Sequence, residues 1–371
     1  GYTKAETNAF IAGPAFQAWW LMNNLEGWGG PNSDAWYSQR ERLQKQILKR
    51  MKELGIHACL PGYSGMVPHD AHERLGLNVA DPGLWNGYRR PAFLLPTDPR
   101  FAEIAALYYK EQQRLYGKAD FYSMDPFHEG GSVKDVDLRA AGEAIMREMK
   151  RVNPAAVWVA QSWQECPYPD MISSLHNGDM LVLDINSETQ PQWGDPDSSW
   201  KRVDGFSGHD WAFCMLLNFG GNVGMYGKLQ HVIDEYYKAR DSRFATTLRG
   251  VGLTMEGIDN NPVMYELVTE LPWRQHRFDW QEWLRGYVTA RYGVAANAKV
   301  QEAWLLLARS VYGASAKVAE QGCHESVLCA RPALDVYQVS SWSMMEEYYN
   351  PDDVIRAARL MVEASHEMPA N

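Results

Sequence analysis

The stretch Phe121-Tyr-Ser-Met-Asp-Pro-Phe-His-Glu-Gly-Gly131 combines an apolar run, a carboxylate and two glycines. A run of aromatic and apolar residues bounded by turn residues predicts a short buried strand. The two glycines after Glu129 permit a sharp turn of the backbone. The pattern therefore predicts that Glu129 lies at the carboxyl end of a strand.

A second stretch, Leu248-Arg-Gly-Val-Gly-Leu-Thr-Met-Glu-Gly257, has the same form and ends on Glu256. In a parallel α/β barrel the loops after the strands meet at one rim, so carboxylates far apart in sequence can face one ligand. We therefore predict that Glu129 and Glu256 share an active site. Such a carboxylate pair fits glycoside hydrolysis, in which one acid protonates the leaving oxygen and the other attacks the anomeric carbon or activates water.

The rest of the chain alternates helical stripes with short apolar runs, as in a buried parallel sheet. Six strands are predicted in all, where a closed barrel has eight. A long Pro- and Gly-rich loop is predicted between the first strand and residue 98. From residue 262 only helical patterns remain, and a helical region is predicted from about residue 275. The four further strand-like runs are Ile56–Pro61, Val157–Ala160, Met180–Leu183 and Phe213–Leu217.

Composition limits the function classes. The chain has 371 residues and a net charge of −10, without a Lys/Arg block, so nucleic acid is not an expected partner. The longest uncharged run, from 211 to 227, contains glycines and asparagines and predicts a strand and loop, with no membrane span. Aromatic residues make up 12% of the chain, including 15 Trp, and aromatic faces suit the apolar C–H edges of sugar rings.

Several other residues are candidates for chemistry. His57, His69 and His72 hint at a metal site, although no H-E-x-x-H motif is present. Cys166 is a candidate nucleophile, but no partner histidine is indicated. His128 could tune the neighbouring Glu129 or merely fill space. Whether Cys323 and Cys329 form a disulfide is left open by the sequence.

Six motifs, taken together and in this order, resemble the alpha-N-acetylglucosaminidase family, glycoside hydrolase family 89. The resemblance extends along the whole chain and includes both carboxylate stretches. The motifs are Ala12-Gly-Pro-Ala-Phe-Gln-Ala-Trp19, Met22-Asn-Asn-Leu25 with Trp28-Gly-Gly-Pro31, Leu60-Pro-Gly-Tyr-Ser-Gly65, Asp125-Pro-Phe-His-Glu129, Leu217-Asn-Phe-Gly-Gly221 and Met255-Glu-Gly-Ile258.

The resemblance implies a (β/α)8 TIM-like catalytic barrel over residues 1–274, lacking its first strand and the small domain upstream. Residues 275–371 would begin an all-α domain. It implies a retaining exo-hydrolase that removes terminal alpha-linked N-acetylglucosamine without a metal or organic cofactor. Glu129 would be the general acid/base and Glu256 the nucleophile, with carboxyl groups roughly 5 to 5.5 Å apart. The residues implied around the terminal sugar are Trp19, Asn24, Trp85, Trp163 and Asn218.

Two other function classes stay open: a non-catalytic sugar-binding barrel and a metal-dependent barrel hydrolase. The natural aglycone is also open between mucin-type and heparan-type glycans, and the acidic net charge favours a neutral one. Export to a bacterial periplasm or medium is expected more than a lysosomal location, because no Asn-x-Ser/Thr sequon occurs. The sequence gives no indication of the oligomeric state.

Overall fold

The computed structural model describes residues 1–198, 200, 202–217, 224–257, 260–293, 297–316, 334 and 348–368. The chain divides into two compact units. The first unit is Gly1–Asp184 with Gln192–Trp211, and the second is Ile185–Pro191 with Ala212–Asn371. The predicted domain boundary at residue 274 stays a prediction.

The first unit contains nine strands and seven helices in its described residues. The strands are β1 (Cys59–Pro61), β2 (Met66–Val67), β3 (Val79–Ala80), β4 (Leu84–Trp85), β5 (Tyr88–Arg89), β6 (Ala92–Leu94), β7 (Phe121–Ser123), β8 (Val157–Ser162) and β9 (Met180–Asp184). The helices are α1 (Lys4–Phe10), α2 (Gln17–Leu21), α3 (Asp34–Glu53), α4 (Ala71–Leu75), α5 (Arg100–Tyr116), α6 (Leu138–Val152) and α7 (Pro169–Ile172).

Strands β1, β7, β8 and β9 lie side by side in chain order and are parallel. The register aligns Leu60, Tyr122, Trp158 and Met180 across the four strands, and all four side chains are buried. A continuous apolar layer of this kind is typical of a parallel sheet covered on both faces. The four strands predicted in this part of the chain are confirmed.

Helix α6, which lies between β7 and β8 in the chain, shows how the sequence sets the packing of a helix in this unit. Asp137 caps its first turn by accepting from the amide of Ala140 at 3.0 Å. Its apolar stripe, which includes Ile145 and Met149, is buried. Gly142 lies against α7, where an added Cβ would come within 2.0 Å of the Met171 carbonyl oxygen. A side chain at position 142 would therefore force the two helices apart.

The segment up to residue 98, predicted as a loop, contains five short strands in two small antiparallel sheets. In one of them, β4 and β5 form a hairpin whose turn residues Asn86 and Gly87 have φ values of 47° and 83°. Two successive positive φ values fit a type I′ turn, which Asn-Gly favours. The prediction of a plain loop was wrong, because strands of two or three residues carry no detectable periodicity.

The pair Asp98-Pro99 predicts the start of α5, with Asp98 as the N-cap and Pro99 in the first turn. Pro99 has helical φ and ψ values of −59° and −25°, and the Asp98 carboxylate accepts from the amide of Arg100 at 2.9 Å, as an N-cap does. Asp98 also accepts from the amide of Asn78 at 2.8 Å. Its carboxylate thus joins the helix start to the short strands, which the local sequence does not reveal.

The described residues of the second unit contain two neighbouring strands, and the rest of their regular structure is helical. The predicted strand runs there are confirmed, and helix α8 was not predicted. Among the described residues, no helix combines the length and the apolar character that crossing a bilayer requires. The elements are β10 (Asp210–Met215), β11 (Leu248–Leu253), α8 (Leu229–Arg240), α9 (Pro262–Glu270), α10 (Trp280–Tyr292), α11 (Ala298–Arg309) and α12 (Pro351–Ser365).

Candidate active site

Glu129 lies on the loop that follows β7, in a backbone conformation that few non-glycine residues adopt. Its φ is 52°, and that of Phe127, two residues earlier, is 63°. Each left-handed non-glycine residue costs on the order of 1–3 kcal/mol unless its surroundings hold it in place. The sequence predicts a turn at the glycines, and Gly130 does have a φ of 77°. The turn nevertheless begins earlier and includes the carboxylate residue itself.

Arg90 stabilises this turn through hydrogen bonds to its backbone. The residue is 1% exposed, and its guanidinium donates to the carbonyl oxygen of Glu129 at 2.6 Å and to that of His128 at 2.8 Å. The same group donates to Oδ1 of Asn24 at 2.9 Å. Three acceptors from two segments thus meet one planar donor, a geometry that suits Arg and not Lys. Sequence reasoning did not find Arg90.

Asn24 and Trp85 both donate to the Glu129 side chain. Nδ2 of Asn24 is 2.8 Å from Oε2 of Glu129, and Nε1 of Trp85 is 2.5 Å from the same oxygen. Because Arg90 occupies Oδ1 of Asn24, the amide of Asn24 is oriented with its nitrogen toward the carboxylate. Both hydrogen bonds fix the direction in which the carboxylate points.

The pKa of Glu129 is raised above its ordinary value, chiefly because the side chain is partly removed from water. The hydrogen bond from Trp85, the charge of Arg90 and the hydrogen bond from Asn24 all act in the opposite direction on this pKa. A carboxyl group with a raised pKa can remain protonated at pH values where an exposed Glu is ionised. Such a group can act as a general acid.

The end of β8 meets the loop after β7 at Asp125. This buried carboxylate accepts from the amide of Gln161 at 2.7 Å and from its side chain at 2.9 Å. Burial raises the pKa of Asp125 to about 6. Burial and the nearby charge of Arg90 lower the pKa of His128 to about 4, so this imidazole is neutral near pH 7. His128 therefore carries no positive charge at that pH with which to stabilise an ionised Glu129.

Cys166 also lies in this region and is unsuited to be a nucleophile. It is 3% exposed, and its Sγ faces the carbonyl oxygens of Phe127 and Pro126 at 3.6 and 4.0 Å. Burial raises the pKa of its thiol, which disfavours the reactive thiolate. Cys166 instead exchanges two backbone hydrogen bonds of 3.1 Å with Trp163, and so shapes the loop that carries this half-buried tryptophan.

Four of the residues expected at the site are brought together in the first unit. Besides the contacts of Glu129 with Asn24 and Trp85, the ring of Trp19 lies 6.2 Å from that of Trp85. The backbone N–H of Asn24 donates to the carbonyl oxygen of Trp19 at 2.9 Å. Trp163 lies on the neighbouring loop after β8. Asn218, Cys323 and Cys329 lie outside the described residues.

The three histidines considered as metal ligands have separate partners. Nδ1 of His57 is 3.8 Å from Asp120, His69 contacts Glu26 and Arg89, and Nδ1 of His72 is 2.8 Å from the Leu77 carbonyl oxygen. No group of three or more His, Cys, Asp or Glu side chains within the described ranges is placed to hold a metal ion. The proposed histidine set is therefore not assembled as a single ligand group.

In the second unit, Glu256 lies shortly after β11 and is exposed. Just before it, Thr254 is fixed by its hydroxyl, which donates to the carbonyl oxygens of Ile185 at 2.6 Å and Met215 at 3.2 Å. Leu217 has a φ of 58°, and its amide donates to Glu188 at 2.8 Å. The segments that follow β9, β10 and β11 are thus joined in the region that carries Glu256.

A large groove in the first unit lies elsewhere. It has a volume of about 700 Å³ and is lined by residues just before β1 and β7, such as Ala58 and Asp120, and by α3 and α5. Glu129 follows the carboxyl end of β7. In parallel α/β folds the loops at the carboxyl ends of the strands carry function. The candidate site is therefore at Glu129 and not in this groove.

Comparison with known proteins finds one family along nearly the whole chain. Residues 1–275 match the model of the alpha-N-acetylglucosaminidase TIM-barrel domain, and residues 283–371 match that of the family's C-terminal domain. Human alpha-N-acetylglucosaminidase is 34% identical over 380 aligned positions, which cover 98% of this chain and 49% of the human protein.

Two solved structures of a family 89 glycoside hydrolase from Clostridium perfringens are also similar. Each is 31% identical and covers 99% of this chain and 41% of its own. The TM-score is 0.87 for the complex with 2-acetamido-1,2-dideoxynojirmycin and 0.86 for the complex with its substrate GlcNAc-alpha-1,4-galactose. The chain thus spans about half the length of its human relative and about two fifths of the Clostridium chains.

These matches confirm the predicted fold class, a TIM barrel followed by helices. Together the two family models and the human relative cover nearly the whole chain. The protein therefore belongs to the alpha-N-acetylglucosaminidase family, glycoside hydrolase family 89.

Proposed function

We propose that the protein is a retaining exo-glycosidase that removes terminal alpha-linked N-acetylglucosamine by double displacement. The observation that carries this proposal is the Glu129 carboxyl, whose pKa is raised by burial and whose direction is fixed by Asn24 and Trp85. Membership of the family supports it, because one relative is bound to GlcNAc-alpha-1,4-galactose as its substrate.

In the first step, ionised Glu256 attacks the anomeric carbon and forms a covalent ester with inversion at that carbon. Protonated Glu129 donates its proton to the glycosidic oxygen as the bond to the leaving group breaks. In the second step, Glu129 removes a proton from water, whose oxygen attacks the same carbon and releases Glu256. Two inversions leave the product sugar in the alpha configuration, and no cofactor takes part.

The pocket residues have distinct roles in this proposal. Trp19, Trp85 and Trp163 present apolar faces to the terminal sugar, while Asn24 and Asn218 supply amide hydrogen bonds. Trp85 and Asn24 additionally set the protonation of Glu129. Recognition of a chain terminus requires a pocket closed at one end, so internal N-acetylglucosamine residues are not cleaved.

The proposal is tested by hydrolysis of an aryl alpha-N-acetylglucosaminide followed by NMR of the product formed first. The alpha anomer should appear first and then mutarotate, whereas initial beta anomer would contradict a retaining mechanism. Matched reactions with EDTA should proceed at the same rate. A loss of activity with EDTA that Zn²⁺ restores would favour a metal-dependent hydrolase, and sugar binding without hydrolysis would favour a binding module.

Replacing Arg90 separates positioning from charge. Arg90→Met should lower kcat/KM by up to about 100-fold, because the turn at Glu129 and the amide of Asn24 lose their common donor. It should also raise the pKa of Glu129, since the charge of Arg90 lowers that pKa. The alkaline limb of the pH profile of kcat/KM, which requires protonated Glu129, should therefore move to higher pH.

Arg90→Lys is the matched control. It keeps a positive charge but loses the planar fork, so its activity should fall while its alkaline limb stays near that of the unmodified protein. Equal displacement of the limb in both variants would show that the charge of Arg90 does not act on Glu129.

Trp85→Phe should shift the pH profile in a defined direction. The variant keeps an aromatic ring but removes the Nε1 donor that stabilises ionised Glu129. The pKa of Glu129 should rise, so activity should persist to higher pH before it falls. The measurement is kcat/KM against pH with an aryl substrate, and an alkaline limb displaced to lower pH would contradict the assigned role of Trp85.

The natural aglycone is proposed to be a neutral, mucin-type glycan, because the net charge of −10 disfavours a sulfated chain. Turnover of neutral and sulfated oligosaccharides at matched ionic strength decides this. A preference for the sulfated substrate would overturn the proposal. We further propose that the protein is exported by a bacterial cell, which cell fractionation can test.

A further inference from the structure

Five aromatic side chains in the first unit form a closed series of rings, which we call the aromatic patch. Each ring lies next to two others of the series, with centroid distances between 4.9 and 6.4 Å. In order around the series, the residues are Phe16, Trp19, Trp85, Tyr88 and Trp28.

Two separate segments build the patch and are joined by backbone hydrogen bonds. Trp85 and Tyr88 face each other across the β4–β5 hairpin as a cross-strand pair. Phe16, Trp19 and Trp28 come from the segment around α2. The amide of Glu26 in that segment donates to the carbonyl oxygen of Arg89 at the end of the hairpin, at 3.0 Å. The geometry of the patch is therefore set by the fold and does not depend on its exposed side chains alone.

The patch is not part of the hydrophobic core. Trp28 is 47% exposed, Tyr88 is 38% exposed and Trp19 is 37% exposed. The core tryptophans Trp158 and Trp211, by contrast, are completely buried. Contiguous exposed aromatic surface is uncommon on soluble proteins and marks a binding surface.

The patch begins at the proposed catalytic acid. Nε1 of Trp85 donates to the carboxylate of Glu129, while the Trp85 ring lies 6.4 Å from that of Tyr88. The Tyr88 ring in turn lies 4.9 Å from that of Trp28. In the proposed mechanism Glu129 protonates the departing oxygen, so the group next to Glu129 is the leaving group. The patch thus leads outward from the point where the leaving group departs.

Charges beside the patch are largely paired. The ring of His69 contacts Glu26 through Nδ1 and Arg89 through Nε2, the second contact being 2.6 Å long. The Arg89 guanidinium and the Glu26 carboxylate are therefore connected through the imidazole of His69. A surface of aromatic faces beside a balanced set of charges suits a neutral ligand with C–H faces and hydroxyl groups, which describes a hexose.

We propose that Tyr88 and Trp28, the outer part of the aromatic patch, bind a neutral sugar ring of the glycan on the leaving-group side, beyond Trp19 and Trp85, which face the terminal sugar. This inference rests on the proposed function, because it takes the direction of the leaving group from the role of Glu129. Substrates whose leaving group is a sugar chain would contact this surface, whereas a simple aryl glycoside would not depend on it. Tyr88 and Trp28 are then determinants of specificity rather than residues of the reacting centre.

The test compares two substrates in each variant. One is an aryl alpha-N-acetylglucosaminide, and the other is a trisaccharide in which GlcNAc-alpha-1,4-galactose carries one further neutral hexose. In Tyr88→Ala and in Trp28→Ala, the ratio of kcat/KM for the trisaccharide to that for the aryl substrate should fall about 3- to 10-fold. Tyr88→Phe keeps the ring and should restore the ratio to within about twofold of the unmodified protein.

Trp273→Ala is the matched control, because Trp273 is 86% exposed and belongs to the second unit. Its ratio should not change. An unchanged ratio in both Tyr88→Ala and Trp28→Ala, with normal hydrolysis of the aryl substrate, would overturn the proposal while leaving the glycosidase function intact.

A binding measurement keeps the two proposals distinguishable. The trisaccharide is titrated into Glu256→Gln by calorimetry, with and without Tyr88→Ala. The Kd should rise about 3- to 10-fold in the double variant. If the unmodified protein hydrolyses neither substrate but this rise in Kd is seen, the patch is supported and the proposed function fails. An identical Kd in both proteins would contradict the patch whether or not hydrolysis occurs.

Discussion

Replacing Glu129 with Gln should lower kcat/KM for GlcNAc-alpha-1,4-galactose by about 10²- to 10⁴-fold, the usual contribution of general acid–base catalysis. The amide cannot donate a proton to the departing sugar oxygen, which is a poor leaving group. A 2,4-dinitrophenyl leaving group needs no protonation, so the loss in the first step should be much smaller with that substrate. The measurement is the ratio of the two losses for the same variant.

The matched control is Glu143→Gln, because Glu143 is an exposed glutamate on α6. It should retain full activity on both substrates. A Glu129→Gln variant that loses equal activity on both substrates would show a structural role for this carboxyl. One that keeps its activity on the disaccharide would remove Glu129 from the mechanism.

Replacing Glu256 with Gln should have the largest effect, a loss on the order of 10⁴-fold or more, because the covalent step then has no nucleophile. The loss should be similar for good and poor leaving groups, since protonation of the leaving oxygen does not replace the missing attack. This independence from the leaving group separates Glu256 from Glu129.

Glu282→Gln provides the control in the second unit, because Glu282 is exposed in the first turn of α10. Circular dichroism of each variant checks that the fold is kept. Turnover by Glu256→Gln at a rate comparable to that of the control would contradict the assignment of the nucleophile.

The strands were predictable because burial on both faces of a parallel sheet leaves a continuous apolar run in the sequence. Val157–Ser162 and Met180–Asp184 follow such runs closely. The hairpin of β4 and β5 was missed for the opposite reason, since each strand has two residues and only Asn86-Gly87 signals its turn. Short strands are held by tertiary contacts that one sequence does not display.

At the candidate site, Glu129 was predictable because Gly130-Gly131 marks a turn beside a carboxylate. The contacts that hold that carboxylate and its turn in place were not predictable in the same way. Arg90 reaches Asn24 across 66 positions and Glu129 across 39, and no local pattern connects such distant residues. Arginine side chains are rarely buried, so the pair Arg89-Arg90 suggests a solvated surface and not a buried support for Glu129. Asp125 belongs to one of the six motifs, but its contact with Gln161 depends on the pairing of β7 with β8.

The central claim is that Glu256 and Glu129 act on the same anomeric carbon from opposite sides. The most direct test is hydrolysis of an activated aryl alpha-N-acetylglucosaminide by Glu256→Ala in the presence of azide, with the product identified by NMR. Azide in the place of the missing carboxylate should restore turnover and give the beta-glycosyl azide through one inversion. An alpha-glycosyl azide, or no rescue while Glu129→Ala gives the beta product, would contradict the account.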